Sequence, residues 1–304
     1  MLWYETLDAK IRDYLPDLNV VCDEPMSRHT SFHVGGPAKR MAFPDSGKQL
    51  VLLMSFAEEC GARPLVIGNG TNLLAPDQGL DRLVINTSAG MKSISRLGTV
   101  LRADCGVSLA QLADFARREG LTGLEFAHGI PGSLGGGVCM NAGAYDGEMK
   151  DVVTEVTVLD PARGVRTCSA DEMEFRYRRS LLTDHPDWVV LHAAVCLKPG
   201  DPAEIKSRMD ELMQRRKKSQ PLEYPSAGST FQRPAGYFAG PLIEGCGLKG
   251  YTVGGAQVSE KHAGFVINRG GATCADILAV IRHVQDVVYA AHGVRLEPEV
   301  RIIQ

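Results

Sequence analysis

The pattern of apolar and polar residues predicts short helices and strands over roughly the first 200 residues. Apolar residues recur at helical spacing in 44–61 and in 108–120, and each segment has a serine near its start and a glycine at its end. Short apolar runs, among them RLVIN, VLRADCG and residues 188–197, are typical of buried strands. Turn-forming residues at 160–163 separate two such runs and predict a hairpin. This region is therefore expected to be α+β, without long β-α-β repeats.

The remainder of the chain predicts two helices and a terminal strand. Asp201-Pro202 is typical of a helix start, and the basic RRKK run suits the end of that helix near Lys217. Thr273 and Asp276 form a capping-box pattern before a helix that ends at Gly293. The last segment, VRLEPEVRII, alternates in polarity and predicts a strand. The apolar face of that strand is expected to carry Val294, Leu296, Val300 and Ile302.

Composition narrows the class of protein. Hydrophobic residues make up 44% of the chain and charged residues 23%, as in an ordinary globular protein, and 304 residues can form two or three domains. The net charge of −3 does not favour nucleic acid or an anionic membrane. The eight cysteines are at least 28 residues apart, which indicates reduced thiols in a cytoplasmic protein. The first residues do not resemble a signal peptide, and no histidine falls in a metal-binding pattern.

Two glycine-rich segments indicate a bound nucleotide cofactor. GNGTNLL, residues 68–74, follows a predicted strand and offers unhindered amides and short polar side chains, the composition of an anion-binding nest. It is neither a Walker motif nor a complete dinucleotide fingerprint, and a plain turn is the alternative. Residues 129–147 contain seven glycines, and glycine is costly to order, so close approach of the backbone to a ligand is expected. Its apolar residues argue against the alternative of a flexible loop.

Individual polar residues are weaker evidence by themselves. Ser229 lies in PSAGSTFQRP without histidine and aspartate partners for a triad, and most serines in turns are structural. Arg178 in FRYRRS could be a charge at a strand edge, and Glu299 one of several solvated carboxylates. His262 could be an ordinary core or surface histidine, and the basic residues 216–218 could be a solvated helix end.

Taken together, the segments resemble one family, the UDP-N-acetylenolpyruvoylglucosamine reductases (MurB) of peptidoglycan synthesis, in the form that lacks an extra tyrosine-bearing loop. Seven motifs occur in the family's order, which is far more specific than any one of them. They are HTSFHVGGPA (29–38), PLVIGNGTNLL (64–74), GIPGSLGGGVCMNAGAYDG (129–147), FRYRRS (175–180), PSAGSTFQRP (225–234), GPLIEGCGLKGYTVGGAQVSEKHAGFVIN (240–268) and LEPEVRII (296–303).

The resemblance implies an α+β, FAD-binding fold of the vanillyl-alcohol-oxidase (PCMH) type in two lobes, with a C-terminal α+β substrate domain. We place the FAD-binding domain at 1–200, with lobes of about 1–66 and 67–200, and the substrate domain at 201–304.

The resemblance also implies the site residues. Arg178 matches the family's catalytic arginine, Ser229 its proton-donating serine and Glu299 its glutamate. His262, Arg216, Tyr145 and Tyr177 are expected to bind the UDP-sugar substrate, with Lys217 and Lys218 as further phosphate candidates. The residues expected to hold FAD belong to the two glycine segments: Gly68, Asn69, Gly70, Thr71, Asn72, Gly129, Ile130, Pro131, Gly132, Ser133, Gly136, Asn141 and Gly143.

The implied reaction is reduction of an enolpyruvyl UDP-sugar by NADPH through non-covalent FAD, in a cytoplasmic monomer or weak oligomer that binds no nucleic acid, membrane or metal. Three features depart from the family. Gln232 replaces a lysine, His33 replaces a longer basic residue, and the sequence ends at Gln304 where the family's last motif usually continues.

Two other functions are compatible with the glycine-rich segments. One is a flavoenzyme of the same fold that oxidises a small alcohol or hydroxy acid, against which the segments at 225–268 argue. The other is a non-catalytic nucleotide-binding protein, against which the presence of Arg178, Ser229 and Glu299 argues. An oxidase would need no NADPH, and its reduced flavin would react rapidly with oxygen.

Overall fold

The computed structural model describes residues 2–303 and divides the chain into two compact units. The first unit comprises Met1–Cys22, Arg40–Asn69 and Arg82–Arg215. The second comprises Asp23–Lys39, Gly70–Asp81 and Arg216–Gln304.

The elements follow one another in short lengths. The helices are α1 (Trp3–Tyr14), α2 (Gly47–Cys60), α3 (Leu109–Arg118), α4 (Leu134–Cys139), α5 (Leu181–Asp184), α6 (Pro202–Ser219), α7 (Ala239–Gly245) and α8 (Cys274–His292). The strands up to residue 104 are β1 (Asn19–Pro25), β2 (Pro37–Phe43), β3 (Leu65–Ile67), β4 (Leu73–Leu74), β5 (Leu80–Asn86), β6 (Ile94–Leu97) and β7 (Val100–Asp104). The later strands are β8 (Leu121–Thr122), β9 (Gly143–Ala144), β10 (Gly147–Glu148), β11 (Val153–Asp160), β12 (Gly164–Ser169), β13 (Val189–Cys196), β14 (Lys198–Pro199), β15 (Thr252–Val253), β16 (Ala256–Val258), β17 (Val266–Asn268) and β18 (Arg301–Ile302).

Two sheets organise the first part of the chain. One has the strand order β1-β2-β5-β3, in which β3 and β5 are parallel. The other has the order β12-β11-β13-β7-β6 and is antiparallel throughout. The core of the first unit includes Leu7, Leu53, Ile85 and Val156, all fully buried. The predicted hairpin is confirmed, because β11 pairs with β12 in antiparallel register from Glu155–Ser169 to Asp160–Gly164.

Local chemistry explains where the main helices begin and end. The Ser46 side chain accepts a hydrogen bond from the Gln49 backbone at the start of α2, and Gly61 ends this helix in the left-handed conformation. Ser108 and Gln111 form a capping box for α3. The Asp201 carboxylate accepts hydrogen bonds from the first amides of α6. These starts agree with the sequence-based predictions.

The second unit has its own core and a small antiparallel sheet of order β15-β16-β17. Thr273 and Asp276 cap α8 as predicted, and Gly293 ends it with φ of +67°. Asp77 adds to this cap, since its carboxylate accepts hydrogen bonds from the amides of Cys274 and Ala275 at 2.7 and 3.1 Å. No local sequence pattern predicts this second cap.

The two compact units do not correspond to a single division of the chain at residue 200. Phe32, Val34 and Leu74 come from early in the chain, yet they belong to the core of the second unit. The Asn268 side chain donates to the Phe32 carbonyl at 2.9 Å, and β4 pairs with β18 in parallel register. Residue 66 was the predicted boundary between the two lobes. Strand β5 follows this boundary, yet it lies in the same sheet as β1, β2 and β3. Long-range pairing of this kind is not visible in local sequence patterns.

The prediction of a long terminal strand is wrong in its extent. Only Arg301–Ile302 form a strand, and Ile302 is exposed while Ile303 is buried. Pro298 interrupts the segment, because proline cannot donate a hydrogen bond to a ladder, and a single bridge joins it to Phe231. The predicted alternation therefore holds at Leu296 and Val300 but not beyond them.

Candidate active site

The two glycines of GNGTNLL are required by contacts with other parts of the protein. A Cβ atom at Gly68 would lie 2.0 Å from the Ser133 hydroxyl oxygen. Gly70 has φ of +63°, and a Cβ atom there would lie 1.9 Å from the His29 carbonyl oxygen. The Asn69 amide donates to the Pro131 carbonyl at 2.7 Å and so ties the two predicted cofactor segments together. Close approach of protein atoms is thus sufficient reason for glycine at both positions.

The segment 129–147 is ordered, with α4 at its centre. Ser133 is buried and caps this short helix, its hydroxyl accepting from the Gly136 amide at 3.4 Å. The amides of Leu134 and Gly135 donate to the carbonyls of Val107 and Cys105. A Cβ atom at Gly135 would lie 2.9 Å from that of Cys105. The backbone at the start of α4 therefore packs closely against residues 105–107, which follow β7.

Three buried polar atoms of the first unit that lie in or beside these glycine segments have no hydrogen-bond partner within residues 2–303. They are the Ser88 hydroxyl, His128 Nδ1 and the Tyr145 hydroxyl. Ser88 Oγ lies 3.4 Å from the position of a Cβ atom at Gly68. Buried polar groups are normally paired, so unpaired ones beside a predicted cofactor segment indicate a place for a polar ligand.

Tyr145 lies at the tip of a tight hairpin. Tyr145 and Asp146 both have positive φ, of +51° and +66°, between the paired strands β9 and β10. Two central residues with positive φ define a type I′ turn, which is the turn that suits the twist of a hairpin. The Arg215 guanidinium lies 4.9 Å from the centre of the Tyr145 ring. This stacking fixes an aromatic side chain within the first unit.

Arg178 lies in another tight turn. Arg176 and Arg179 exchange two backbone hydrogen bonds, of 2.9 and 3.2 Å, around Tyr177 and Arg178. Arg178 has φ of +55°, a strained conformation for a residue with a Cβ atom that is common at functional sites. Its guanidinium donates to the Gly143 carbonyl at 3.3 Å and lies 5.0 Å from the Tyr177 ring. Tyr177 itself is half-exposed.

Asn141 anchors this turn from inside the protein. It is fully buried, and its side-chain amide donates to the Arg176 carbonyl at 3.0 Å and to the Glu148 carboxylate at 2.7 Å. Its side-chain oxygen accepts from the Lys150 amide at 2.9 Å. These three hydrogen bonds are all made to other residues of the protein. A contact of Asn141 with the cofactor remains a prediction.

Ser229 and Glu299 lie on neighbouring backbone segments of the second unit. The Glu299 amide donates to the Thr230 carbonyl at 2.8 Å, and the Gln232 amide donates to the Glu297 carbonyl at 2.8 Å. The Ser229 hydroxyl donates to the Phe231 carbonyl at 3.3 Å. Asn72 supports the same place, because its side-chain amide donates to the Glu299 carbonyl at 3.1 Å. The structure thus brings together Ser229 and Glu299, which are far apart in the sequence.

His262 lies close to the Ser229 loop. Its Nδ1 accepts a hydrogen bond from the Gly264 amide at 3.1 Å, and a Cβ atom at Gly264 would lie within 3.6 Å of both the His262 ring and the Ser229 hydroxyl. Burial lowers the pKa of His262, which favours the neutral ring. A neutral ring that accepts at Nδ1 carries its hydrogen on Nε2 and can donate from there.

The remaining predicted positions lie on the surface or in turns. Arg216 is half-buried near the end of α6, and Lys217 and Lys218 are exposed. The Lys217 carbonyl accepts from the Lys261 ammonium group at 2.7 Å, which completes the helix end. The Gln232 side-chain amide donates a hydrogen bond to the Pro298 carbonyl at 3.5 Å. His33 has a backbone φ of +56°. No group of three or more metal-ligating side chains occurs within the described chain.

Within residues 2–303, none of the helices combines the length and the hydrophobicity of a transmembrane span.

Comparisons with known proteins identify the class first. Residues 38–169 match the family model of an FAD binding domain. Residues 220–303 match the model described as UDP-N-acetylenolpyruvoylglucosamine reductase, C-terminal domain. A BBE-like protein of Physcomitrella patens, at 14% identity and a TM-score of 0.50 over 66% of this chain and 45% of that one, shares the fold alone. The class is a two-lobed FAD-binding fold of the vanillyl-alcohol-oxidase type with a C-terminal α+β domain, as predicted.

Full-length relatives then identify the family. The UDP-N-acetylenolpyruvoylglucosamine reductases of Caldanaerobacter subterraneus and Agathobacter rectalis are 48% and 47% identical to the chain, with 98% of each sequence covered. The crystal structure of the same reductase from Thermus caldophilus has a TM-score of 0.80 at 34% identity, over 94% of this chain and 99% of that one. The chain belongs to the UDP-N-acetylenolpyruvoylglucosamine reductase family.

Proposed function

We propose that the chain reduces UDP-N-acetylglucosamine enolpyruvate to UDP-N-acetylmuramate, using NADPH and non-covalent FAD. The names of its full-length relatives support this reaction, and the match to an FAD binding domain supports the cofactor. The observation that carries the proposal is the bridge between the Ser229 loop and the Glu299 segment, inside the region that matches the reductase domain. The product is a precursor of peptidoglycan, so the protein serves cell-wall synthesis, cell shape and division in the cytoplasm.

We assign the FAD-binding role to residues 1–200 and the substrate-binding role to 201–304. Segments 68–72 and 129–143 would hold the cofactor, and the unpaired polar atoms of Ser88, His128 and Tyr145 support a polar ligand there. When bound there, FAD would supply the two-electron, hydride-transfer chemistry that links NADPH to the methylene carbon of the substrate. No residue calls for a covalent link to it, and acid precipitation is expected to release the yellow colour.

Arg178 stabilises negative charge that develops toward the substrate carboxylate. A guanidinium presents a planar fork that matches a carboxylate, and the tight turn at 176–179 limits its freedom. A charge positioned before the reaction costs no reorganisation at the moment when negative charge appears, so its contribution to the rate is large.

Ser229 donates the proton and Glu299 orients the carboxylate. The hydroxyl proton moves to the carbon beside the substrate carboxylate, and the carbanion-like species that receives it is a strong enough base for a weak acid to serve. Glu299 shares a proton with the substrate carboxylate or orients it. Its backbone is held by Thr230 and Asn72.

The UDP-sugar is the proposed ligand of Tyr145, Tyr177, Arg216 and His262. Tyr145 and Tyr177 each present a ring that a guanidinium already faces, and Arg216 supplies charge for phosphate. His262 contributes a hydrogen-bond donor instead of a full charge, because burial lowers its pKa. We propose that the enzyme acts as a monomer or weak oligomer and binds neither nucleic acid nor membrane.

An anaerobic flavin experiment tests this function. The purified protein should be yellow, NADPH should bleach it without air, and the enolpyruvyl UDP-sugar should restore the colour. A protein that stays bleached with this substrate and recovers only with oxygen would behave as an oxidase of the same fold. A colourless protein that binds nucleotides would support a non-catalytic role.

A further inference from the structure

Thr230 connects three segments of the second unit. Its backbone amide donates to the Gly264 carbonyl at 2.8 Å, and its carbonyl accepts from the Glu299 amide at 2.8 Å. Its hydroxyl accepts from the Val266 amide at 2.9 Å. The residue is 1% exposed, so water cannot replace these partners.

The three segments carry the chemistry proposed above. Thr230 follows Ser229 directly, its carbonyl holds the backbone of Glu299, and its amide holds the chain between His262 and Val266. A shift of Thr230 would therefore displace Ser229, to which it is covalently joined, relative to the segments that carry Gly264 and Glu299. The Phe231–Pro298 bridge continues the same alignment by one residue.

The hydroxyl makes threonine specific at this position. Val266 lies in β17 and is buried, and the Thr230 hydroxyl accepts the hydrogen bond from its amide. Valine has nearly the shape of threonine but offers no acceptor, so it would leave a buried donor unpaired. The chain can relieve that loss only by moving the Thr230 segment or β17, and either movement changes the place of Ser229.

We propose that Thr230 is a positioning residue that sets the place of the Ser229 hydroxyl relative to Glu299 during proton delivery. This inference rests on the proposed function. Thr230 acts through Ser229 and not on the reacting atoms or the cofactor, so its effect should be confined to the step in which Ser229 acts.

The test compares Thr230→Val with Thr230→Ser in the FAD-loaded enzyme. Under anaerobic stopped-flow conditions, Thr230→Val should leave flavin reduction by NADPH within about twofold of wild type. Reoxidation by the enolpyruvyl UDP-sugar should slow by roughly 10- to 100-fold, the usual effect of a small misplacement. Thr230→Ser keeps the acceptor and should recover most of the rate. Thr273→Val is the matched control, since it also removes a hydroxyl that accepts a backbone amide in this unit, and both of its half-reactions should be normal.

Each outcome decides between the alternatives. Normal reoxidation in Thr230→Val, equal loss in both half-reactions, or failure of Thr230→Ser to restore the rate would overturn the inference. If Thr230→Val does not fold, Thr230→Ala removes the acceptor without placing a methyl group against the amide and is judged by the same ratio of rates. Wild-type enzyme that the substrate does not reoxidise would instead overturn the proposed function.

Discussion

The candidate residues of the two units are held in different ways. In the first unit, Arg178 occupies a turn with φ of +55°, and one buried side chain, Asn141, anchors the turn. In the second unit, Ser229 and Glu299 lie on chains that are joined through the backbone of Thr230. The arginine is thus kept in place against backbone strain, whereas the serine and the glutamate are aligned by ordinary strand-like pairing.

The two arrangements are vulnerable at different points. A strained turn depends on the few groups that hold it, so the loss of Asn141 should affect folding as well as activity. The segments of Ser229 and Glu299 are held together by several backbone hydrogen bonds. The loss of a side chain such as that of Ser229 should therefore change the chemistry and leave the fold intact.

Ser229→Ala should uncouple chemistry from folding in the second unit. Only an oxygen is removed, so folding, FAD binding and reduction by NADPH should survive. Reoxidation by substrate should fall roughly 10²- to 10⁴-fold, the range for a positioned acid, or about 3–5 kcal/mol in barrier. Stopped-flow absorbance of the flavin measures both rates, and Ser226→Ala in the same loop serves as control. Equal damage to both half-reactions would make Ser229 a structural residue.

Asn141→Ala should destabilise the first unit's turn. It leaves the Arg176 carbonyl, the Glu148 carboxylate and the Lys150 amide without this partner. We expect the free energy of unfolding to fall by about 3 kcal/mol, as for loss of a buried hydrogen-bonding group with several partners. Urea unfolding measures it. Asn69→Ala, which removes a single and more exposed contact, should cost less, and equal losses in the two variants would refute the anchoring role.

Arg178→Gly and Arg178→Ala should differ in stability although both lose the guanidinium. Glycine tolerates positive φ, so Arg178→Gly should be more stable than Arg178→Ala by about 1 kcal/mol. At Arg176, whose φ is not positive, the order should reverse, because glycine there only adds disorder to the unfolded chain. Thermal unfolding of the four variants reveals the order. The same order at both positions would show that the turn is not strained.

Acidification should weaken the protein through His262. Its pKa is lowered from the ordinary 6.5 mainly by burial, so the unfolded state binds more protons below that pH. The stabilising contribution of the neutral ring is present above pH 6.5 and is lost as the pH falls toward the lowered pKa. Unfolding free energies measured between pH 7 and about 5 should therefore fall less steeply in His262→Gln. His192, whose pKa burial also lowers, is present in both proteins and cancels in the comparison.

The sequence predicted α2, α3, α6 and α8 because their caps are local, but it did not predict α1, whose start has no side-chain cap hydrogen bond. Ser46 with Gly61, and Thr273 with Gly293, lie within the segments that they delimit. The C-terminal strand was predicted too long, since alternation alone does not reveal that Pro298 breaks the ladder. Membership of the early segments in the second unit was also not predictable, because it depends on contacts such as that of Asn268 with Phe32, far apart along the chain.

The candidate residues were chosen from motifs, whereas the contacts that support them could not be predicted. Ser229 and Glu299 stand in recognisable segments, and the structure brings those segments together. Thr230 and Asn72 acquire their importance from partners more than thirty residues away, so no local pattern reveals it. The glycines at 68 and 70 were attributed to a ligand, whereas the contacts described here are with Ser133 and His29.

The most direct test of the proposed function is analysis of the product of a complete anaerobic reaction. The protein is incubated with NADPH and the enolpyruvyl UDP-sugar, and the sugar nucleotide is examined by mass spectrometry and by NMR of its three-carbon side chain. We expect one UDP-N-acetylmuramate, heavier than the substrate by two hydrogens, for each NADPH consumed. An unchanged sugar nucleotide, with NADPH consumed only when oxygen is admitted, would contradict the account.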